Sequence, residues 1–427
     1  MKKIHFIGIG GIGISALARF LKEKGFDISG SDLKESKTTM ELEKQGIKVS
    51  IPHKAKNVLN KDLVIYSAAI KEENVEFKEA KKLGIQCLSR KEALPMILKD
   101  KKVLAVAGAH GKSTTSSILA SLLDESSVII GAILKNFGSN MIYKANDKLI
   151  FEADESDSSF LNSNPHLAIV TNTEAEHLEH YDNDLKKLQK AYYDFLKQAK
   201  IRVVNAEDEY LANLDLDCIK LYPSKDIKDC KTVIKDYKPH TSFKLKDYGE
   251  FHILGIGNHL AIDAALAILA AKEYKSIDEI KANLQSYMGI KKRFDILEAD
   301  ENLAIIDDYG HHPTEIKATL KAAFEYAKLL GYKKISAIFE PHRYTRLLAN
   351  LNEFKEAFKD VDELIILPVY AAGEKEIDIN LKEHFKKAIF INDLKREGKY
   401  LVANDGRVFD EGLIIGFGAG DISNKLR

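Results

Sequence analysis

The stretch of sequence that decides the fold runs from residue 103 to residue 115. It reads Val103-Leu104-Ala105-Val106-Ala107-Gly108-Ala109-His110-Gly111-Lys112-Ser113-Thr114-Thr115. The apolar run predicts a buried strand, and Gly-Lys-Ser before a helical pattern is the core of a P-loop. In such a loop, backbone N–H groups hold phosphate oxygens, the lysine reaches the β- and γ-phosphates, and the serine hydroxyl can ligate Mg²⁺. Position 106 is valine, so this is a variant loop whose first glycine is Gly108.

Short apolar runs alternate with helical patterns on both sides of this loop. The pattern predicts strands at residues 4–9, 27–30, 63–67, 167–171, 303–306, 335–339, 363–367 and 413–416. It predicts helices at residues 12–24, 113–123, 184–198, 260–273, 277–286 and 314–330. Such alternation is typical of βαβ units on parallel sheets, so we expect an α/β fold.

The length of the chain predicts several domains. At about 150 residues per domain, 427 residues suggest about three. Charged breaks near residues 99–102 and 289–292 divide the chain into segments 1–99, 100–289 and 290–427.

Composition and charge exclude several classes of protein. Lys plus Arg and Asp plus Glu both number 64, so the net charge is zero, and we expect no nucleic-acid partner. The sequence contains no run of 18 apolar residues, so we expect no membrane insertion. The three cysteines, Cys87, Cys218 and Cys230, are too few and too far apart for a disulfide framework, which favours the reducing cytoplasm.

A second glycine-rich loop lies near the amino terminus, at Gly8-Ile9-Gly10-Gly11-Ile12-Gly13. It follows a predicted strand and opens a predicted helix, where glycines let the backbone approach a diphosphate. Asp32 ends the next predicted strand, at the place of a ribose-binding acid. The motif indicates a nucleotide diphosphate without saying which one.

Polar residues follow two predicted strands of the middle segment. The first group is Phe151-Glu152-Ala153-Asp154-Glu155-Ser156-Asp157, and acids beside a P-loop are expected to hold metal. The second is Thr171-Asn172-Thr173-Glu174-Ala175-Glu176-His177-Leu178-Glu179-His180. It lies at the carboxyl end of a strand, where open α/β sheets place their sites.

The last segment contains two further polar motifs. Asp307-Asp308-Tyr309-Gly310-His311-His312-Pro313-Thr314-Glu315 joins a strand to a helix, and adjacent histidines on a turn do not readily share one metal ion. Phe339-Glu340-Pro341-His342-Arg343-Tyr344-Thr345-Arg346 follows the next strand. We expect its two arginines to share one helix face and to bind carboxylate or phosphate.

Taken together, these motifs resemble the Mur ligases. The resemblance covers nearly the whole chain, through residues 5–15, 29–32, 67–70, 108–115, 152–160, 171–177, 307–315, 342–346 and 369–374. It implies three α/β domains: a Rossmann-like domain for a UDP-substrate at 1–99, a P-loop ATPase at 100–289, and a Rossmann-like domain at 290–427 that closes over nucleotide and amino acid.

The resemblance also assigns site residues. For the UDP-substrate it implies Gly8, Gly10, Gly11, Gly13, Ser15, Asp32, Ser67 and His342. For ATP it implies Gly108, Ala109, His110, Gly111, Lys112, Ser113, Thr114, His259, Arg293 and Asp308. For Mg²⁺ it implies Ser113, Glu155 and His177, and for catalysis Lys112, His312, Arg343 and Arg346.

Within the family, the motifs are most similar to the branch that joins L-alanine to UDP-N-acetylmuramate. The resemblance then implies ATP-dependent formation of an acyl phosphate, attack by the amino group of L-alanine, and a monomer or homodimer in the cytoplasm. Three alternatives stay open: a recycling ligase that adds a tripeptide to the same acceptor, a Rossmann oxidoreductase, and a nucleotide-switch module without ligase chemistry. A Rossmann oxidoreductase leaves Gly111-Lys112-Ser113 unexplained.

One motif departs from the family pattern. The helix start Gly257-Asn258-His259-Leu260-Ala261-Ile262-Asp263 retains His259, but the two family asparagines correspond to Leu260 and Asp263. The adenine contact expected there is therefore left open.

Overall fold

The structure, a computed structural model, describes residues 2–156, 158–176 and 178–427. The chain divides into two compact units. The first comprises Met1–Lys228, Lys244–Phe251 and Ala261–Tyr287, and the second comprises Asp229–Phe243, His252–Leu260 and Met288–Arg427. Among the described residues, the helices are all too short or too polar to cross a membrane.

The amino-terminal part of the first unit is a five-stranded parallel sheet. Its strands are β1 (Lys3–Ile7), β2 (Asp27–Ser31), β3 (Lys48–Ser50), β4 (Leu63–Tyr66) and β5 (Gln86–Ser89). Its helices are α1 (Ile12–Glu23), α2 (Lys37–Lys44), α3 (Val75–Lys82) and α4 (Arg90–Leu98), with a 3₁₀ turn at Ala55–Val58. The strand order is β3-β2-β1-β4-β5. Because the order reverses at β1, the carboxyl ends of β1 and β4 border the crevice where such sheets bind ligands.

The rest of the first unit contains a seven-stranded sheet. Its strands are β6 (Lys102–Ala107), β7 (Ser127–Leu134), β8 (Ser139–Ile142), β9 (Lys148–Glu152), β10 (Leu167–Val170), β11 (Ile201–Asn205) and β12 (Ile219–Leu221). Its helices are α5 (Lys112–Leu122), α6 (Leu185–Gln198), α7 (Glu209–Ala212) and α8 (Pro223–Asp226), with 3₁₀ turns at Ser159–Asn162 and Leu178–Tyr181. The strand order is β12-β11-β10-β6-β9-β7-β8, and β8 alone is antiparallel to its neighbour. The loops after β10, β6 and β9 therefore emerge side by side.

One continuous hydrophobic cluster serves both of these sheets. It contains Phe6 and Leu17 from the amino-terminal part together with Ala105, Phe151 and Phe195 from the seven-stranded part. The first unit is therefore a single folded body with two sheets.

A three-stranded sheet and two helices follow in the chain. They are β13 (Ile227–Lys235), β14 (Lys238–Leu245), β15 (Glu250–Leu254), α9 (Asn258–Ala271) and α10 (Ile277–Leu284). Residues 264–271 of α9 are all apolar and buried, so this part of the helix lies inside the fold on every side.

The second unit is built on a six-stranded sheet. Its strands are β16 (Asp295–Ala299), β17 (Leu303–Asp308), β18 (Ile335–Phe339), β19 (Glu363–Ile366), β20 (Ile389–Phe390) and β24 (Gly412–Phe417). Its helices are α11 (Pro313–Leu330), α12 (Tyr344–Ala349), α13 (Leu351–Ala357), α14 (Leu381–His384) and α15 (Ile422–Leu426). A small antiparallel sheet is formed by β21 (Leu394–Glu397), β22 (Tyr400–Ala403) and β23 (Val408–Phe409). The main order is β16-β17-β24-β18-β19-β20, with β16 antiparallel and the others parallel.

The predicted α/β fold with parallel sheets is confirmed. Each predicted strand and helix is present, and its bounds lie within a few residues of those expected. The sequence did not indicate the β7–β8 hairpin, the strand β11 and its edge neighbour β12, or the small sheet β21–β23. Most of these strands are short or carry polar residues, so apolar patterning marks them weakly, whereas β7 is an eight-residue apolar run that the prediction missed.

Candidate active site

The loop between β6 and α5 has the conformation of a phosphate-binding loop. Gly108 has φ +136°, and a methyl group added there would lie 2.0 Å from Oγ1 of Thr171. Gly111 caps α5 with φ +82°, and a methyl group there would lie 2.5 Å from Oδ1 of Asp263. Both glycines are therefore required by positive φ and by close neighbours. The N–H groups of the first turn of α5 are left to bind an anion.

Residues after the neighbouring strand β10 fix the backbone of this loop. The backbone N–H of His110 donates to Oδ1 of Asn172 at 3.1 Å, and Nδ2 of Asn172 donates back to the His110 carbonyl at 3.0 Å. The Thr171 hydroxyl donates to the same carbonyl. Since β10 pairs with β6 in parallel, the expected position of the 171–180 motif at the strand's carboxyl end is confirmed. Asn172 was not among the predicted site residues.

Lys112 is held at the start of α5 by the loop and by a buried acid. Its Nζ donates to the Gly108 carbonyl at 2.6 Å and to the Ala109 carbonyl at 3.2 Å. It also lies 2.9 and 3.0 Å from the two carboxylate oxygens of Glu155, whose side chain is fully buried. Burial raises the pKa of Glu155 above its usual value, and the charge of Lys112 opposes that rise.

A second acid, partly buried, lies beside Ser113. Glu152 ends β9, where it pairs with Val106 of β6, and its Oε2 accepts the Gly131 N–H at 2.9 Å. Burial raises the pKa of Glu152, and a hydrogen bond with the Ser113 side chain opposes the rise. Glu152 lies in a predicted acidic motif but had no predicted role, whereas Glu155 was predicted to bind metal. The structure places both acids at the loop, Glu152 with Ser113 and Glu155 with Lys112.

These oxygen groups fit a magnesium ion that also binds phosphate. Mg²⁺ prefers carboxylate and hydroxyl oxygens and usually keeps waters and substrate phosphates among its ligands. Ser113, Glu152 and Glu155 supply that donor set. Within the described ranges, no group of three or more His, Cys, Asp or Glu side chains is arranged to hold a metal unaided. The remaining predicted metal ligand, His177, lies outside the described residues.

The glycine-rich loop after β1 lies at the switch point of the first sheet. The backbone N–H groups of Gly8 and Ile9 donate to the Ser31 carbonyl at 2.9 and 3.0 Å. The Gly10 N–H donates to Oδ2 of Asp32 at 2.8 Å. The carboxylate of Asp32 therefore organises the loop itself, and its predicted substrate contact stays a prediction.

The other predicted residues of this loop lie in different surroundings. A methyl group at Gly8 would lie 3.1 Å from Cβ of Ser67, so β1 and β4 bring these two together. Gly11 is the N-cap of α1. Ser15 is fully buried, and its hydroxyl donates to the Ile12 carbonyl at 3.0 Å. Donation from this hydroxyl to substrate would require it to leave that bond, and its predicted substrate contact stays a prediction.

An arginine that the sequence analysis did not single out lies against the same loop. A methyl group at Gly13 would lie 3.4 Å from the guanidinium carbon of Arg90, which begins α4. Nothing in the sequence near Arg90 indicates this position, because it depends on the packing of α4 beside α1.

Helix α1 is also attached to the seven-stranded sheet. Nη2 of Arg19 donates to Oδ1 of Asn140 at 2.6 Å, and Nδ2 of Asn140 donates to the Ile12 carbonyl at 3.2 Å. Asn140 is 3% exposed, so these bonds are shielded from water. The helix that follows the glycine-rich loop is thus fixed to β8.

In the second unit, Asp308 organises a turn. It ends β17, and its carboxylate accepts the backbone N–H groups of Phe294 and Gly310, each at 2.8 Å. Burial raises the pKa of Asp308, and the charge of the nearby Arg293 opposes the rise. Arg293 lies over the Tyr309 ring at 6.0 Å. Arg293 and Asp308, two of the predicted ATP residues of this unit, therefore lie close to the same turn.

His342 and Arg346 form a second polar group. Nη1 of Arg346 and Nδ1 of His342 are 2.9 Å apart. The His342 ring stacks on Tyr370 with centroids 5.6 Å apart and meets His311 edge-on at 5.8 Å. Burial, and after it the charge of Arg346, lower the pKa of His342. His312 was predicted to lie here, whereas His311 is the histidine that contacts His342.

His312 has a different place in the structure. It is the N-cap of α11, where its backbone N–H donates to Oε2 of Glu315 at 3.1 Å. Its Nδ1 lies 2.9 Å from the Thr314 hydroxyl. Its predicted catalytic role stays a prediction.

The expectation that Arg343 and Arg346 share a helix face is wrong. Arg343 precedes α12 as its N-cap, with φ +71°, because its N–H donates to the Tyr370 carbonyl at 2.9 Å. Its Nε lies 3.4 Å from Oε1 of Glu374, while Arg346 turns toward His342. The two guanidinium groups therefore have separate partners.

His259 lies in the first turn of α9. Its ring packs on Gly257, where a methyl group would lie 2.6 Å from Cε1. Gly257 has φ +112°, so the turn into α9 also requires glycine.

A phosphate-loop conformation with an attached lysine–glutamate pair, in the same compact unit as a second glycine-rich loop, defines the class. Sequence models of three Mur ligase domains match the chain: the catalytic domain at residues 3–102, the middle domain at 106–271 and the glutamate ligase domain at 292–404. The chain belongs to the Mur ligase family, so the predicted resemblance and three-domain architecture are confirmed. Mur ligases are ATP-dependent enzymes.

Individual relatives within this family are similar to the chain over its full length. The chain is 74% identical to a UDP-N-acetylmuramate–L-alanine ligase of Campylobacter jejuni, over all of this chain and 99% of the relative. It is 52% identical to the ligase of the same name from Helicobacter pylori, over 100% and 96% of the two chains. It is similar in structure to a UDP-N-acetylmuramate–alanine ligase from Thermotoga maritima, with a TM-score of 0.83, 28% identity and coverage of 100% and 98%.

Proposed function

We propose that this chain joins L-alanine to the carboxylate of UDP-N-acetylmuramate with hydrolysis of ATP to ADP and phosphate, a step in making peptidoglycan precursors. The observation that carries the proposal is Lys112, held between the phosphate loop and buried Glu155. The chain is also similar over its full length to UDP-N-acetylmuramate–L-alanine ligases, and this similarity supports the proposed substrates.

The proposed reaction has two steps. A carboxylate is a poor acyl donor, so its oxygen first attacks the γ-phosphorus of ATP, the bond to ADP breaks, and an acyl phosphate forms. The amino group of L-alanine then attacks the acyl carbon, phosphate leaves, and the amine loses a proton. The first step depends mainly on positioning and on neutralising charge.

The residues of the phosphate loop have defined parts in this proposal. Lys112 neutralises charge on the transferred phosphoryl group, and the N–H groups at the start of α5 bind phosphate oxygens. Ser113, Glu152 and Glu155 would hold Mg²⁺, which when bound supplies further neutralisation of the phosphates. When ATP arrives, Lys112 must exchange its two loop carbonyls for phosphate oxygens.

The second unit supplies the proposed amino-acid site. Arg343 and Arg346 are its cations, and a guanidinium binds a carboxylate through two parallel hydrogen bonds. Binding the carboxylate of L-alanine there would place its amine at high effective concentration.

A phosphate-release assay with Lys112→Ala tests the proposal. We expect phosphate release only when UDP-N-acetylmuramate, L-alanine and ATP are all present, and a loss of about a hundredfold or more in the variant. Lys190→Ala is the matched control, because Lys190 pairs with Asp194 on the surface of α6. Undiminished turnover in Lys112→Ala would contradict the site, and preference for a tripeptide over L-alanine would contradict the substrate.

A further inference from the structure

Asp263 is a buried acid that lies directly against the phosphate loop. It is on α9 and is 7% exposed. Its carboxyl group packs on Gly111, the N-cap of α5, so closely that no side chain fits at position 111. The proposed reaction assigns no part to this group.

Polar groups surround Asp263. Among the described residues, no charged side chain contributes to the shift in its pKa. From α5, it faces the hydroxyl of Thr115, which is fully buried in the first turn. From the segment after α10, it faces Tyr287, whose hydroxyl lies 3.5 Å from that of Ser117.

These surroundings favour the neutral form of the acid. Burial raises the pKa of Asp263 to about 8, and the Thr115 hydroxyl only partly opposes the rise. Burial and the charge of Asp263 in turn raise the pKa of Tyr287 to about 12. Near neutral pH, Asp263 is therefore a carboxylic acid that can donate as well as accept a hydrogen bond.

We propose that Asp263 is a positioning residue for ATP binding, which holds Gly111 and the first turn of α5 in the conformation that receives the phosphates. The proposal rests on the proposed function, since it concerns the same loop. The start of a helix binds anions because its N–H groups are unpaired and its dipole is positive there. An ionised carboxylate against Gly111 would weaken the positive electrostatic potential at the start of α5. A neutral carboxylic acid leaves that potential unchanged.

ATP binding to the full chain, measured by titration calorimetry without the other substrates, tests the proposal. Between pH 7 and pH 9 we expect the Kd of the unaltered protein for ATP to rise about tenfold, because the neutral form is depleted above pH 8. Asp263→Asn has the same shape and cannot ionise, so its Kd should stay near the pH 7 value throughout. Asp263→Ala should bind ATP more weakly already at pH 7.

Asp124→Asn is the matched control. Asp124 lies just beyond α5, and its Oδ1 accepts a hydrogen bond from Nζ of Lys275 at 2.7 Å, which lowers its pKa. The same acid-to-amide change there should leave the pH dependence intact. A merely structural role of Asp263 would change the unfolding temperature of Asp263→Asn but not abolish the pH dependence.

Two results would overturn the proposal. One is a pH dependence of ATP binding in Asp263→Asn equal to that of the unaltered protein. The other is an unchanged Kd at pH 7 in Asp263→Ala. Absence of ATP binding by the unaltered protein at every pH would instead overturn the proposed function, and this inference with it.

Discussion

Gly108 is the residue with the least room in the phosphate loop. Gly108→Ala would place a methyl group 2.0 Å from Oγ1 of Thr171 and keep a φ of +136° that alanine disfavours. We expect a loss of about 1–3 kcal/mol in the free energy of unfolding and loss of ATP binding. Urea denaturation and titration calorimetry measure the two effects.

Gly84→Ala separates the steric effect from the backbone effect. Gly84 has φ +70°, but an added methyl group would meet no atom within 4 Å. It should cost about 1 kcal/mol in stability and leave ATP binding unchanged. Equal effects of both substitutions on ATP binding would contradict the importance of the Thr171 contact.

Arg346 tests the proposed amino-acid site. Arg346→Lys keeps the positive charge but loses the planar pair of donors, so we expect the KM for L-alanine to rise about tenfold. The KM for ATP should change little. Arg407→Lys, an exposed arginine of the same unit, is the control. Steady-state kinetics with each substrate varied in turn makes the comparison, and an equal rise in both KM values would contradict the assignment.

Single residues of the site could be predicted where local sequence encodes them. Lys112 and the loop glycines follow from a strand, a Gly-Lys-Ser sequence and a helix. Asn172 and Asp263 could not be predicted, because their contacts with the loop depend on strand order and on the packing of α9. The partners of Arg343 likewise depend on Tyr370 and Glu374, which lie about thirty residues away.

At the scale of elements, one buried acid joins several pieces of the first sheet. Glu76 lies at the start of α3, and its side chain is fully buried. Its carboxylate accepts hydrogen bonds from the Lys54 N–H at 2.9 Å and from Nδ2 of Asn57 at 2.6 Å. It also contacts Nε2 of His5 on β1 at 3.3 Å and the Ser31 hydroxyl on β2. Because the Ser31 carbonyl accepts hydrogen bonds from the glycine-rich loop, this network supports the end of β2 that holds that loop.

The hydrogen bonds around Glu76 predict that the stability of the protein depends on pH in the acidic range. Burial opposes ionisation of Glu76, but the hydrogen bonds from His5, Ser31 and their neighbours prevail and lower its pKa from 4.5 to about 2. Because the pKa of Glu76 is lower in the folded protein than in the unfolded chain, its ionised form stabilises the fold at pH values above about 4.5. This contribution, about 3 kcal/mol, is lost as the pH falls from about 4.5 toward 2. Urea denaturation at pH 7 and pH 3 should show about 2 kcal/mol of this loss in the unaltered protein, because the folded carboxylate is still mostly ionised at pH 3.

Glu76→Gln removes the titrating group from the network. It should lower stability at pH 7 and reduce the difference between pH 7 and pH 3. Glu72→Gln is the control, because Glu72 is exposed and pairs only loosely with Lys81, at 3.8 Å. An undiminished acid dependence in Glu76→Gln would show that other groups account for it.

Most of the elements that could be predicted have a clear apolar pattern, although the eight-residue apolar strand β7 was missed. Strands β1, β6 and β18 are runs of buried apolar residues, and their bounds were close to those expected. Strands β20 and β23 have two residues each, too few for a periodic pattern. Their existence depends on neighbours that only the folded chain brings together.

At the scale of the whole molecule, the two compact units predict two unfolding transitions. The first unit has one continuous hydrophobic cluster, so its two sheets should unfold together, and scanning calorimetry should resolve two transitions rather than three. Asn140→Ala removes the hydrogen bonds to Arg19 and Ile12. It should lower the free energy of unfolding of the first unit by about 1–2 kcal/mol and so lower the temperature of one transition.

A second substitution identifies the other transition. Thr232→Val removes the hydroxyl that donates to Oε1 of Glu325 at 2.6 Å, a bond within the second unit. It should lower the transition that Asn140→Ala leaves unchanged. If both substitutions shifted the same transition, the division into two cooperative bodies would be wrong.

The way the chain passes between the two units has a genetic consequence. Segments 229–243 and 252–260 belong to the second unit, although stretches of the first unit precede, separate and follow them. Within the second unit, the Tyr326 hydroxyl donates to the carbonyl of Tyr237, so these segments form part of its structure. A single crossover near codon 288 would therefore join residues 288–427 from one gene to segments 229–243 and 252–260 from another, and the second unit would be a mixture of the two. Recombination can exchange the two units intact only by several coordinated crossovers, which favours their inheritance together.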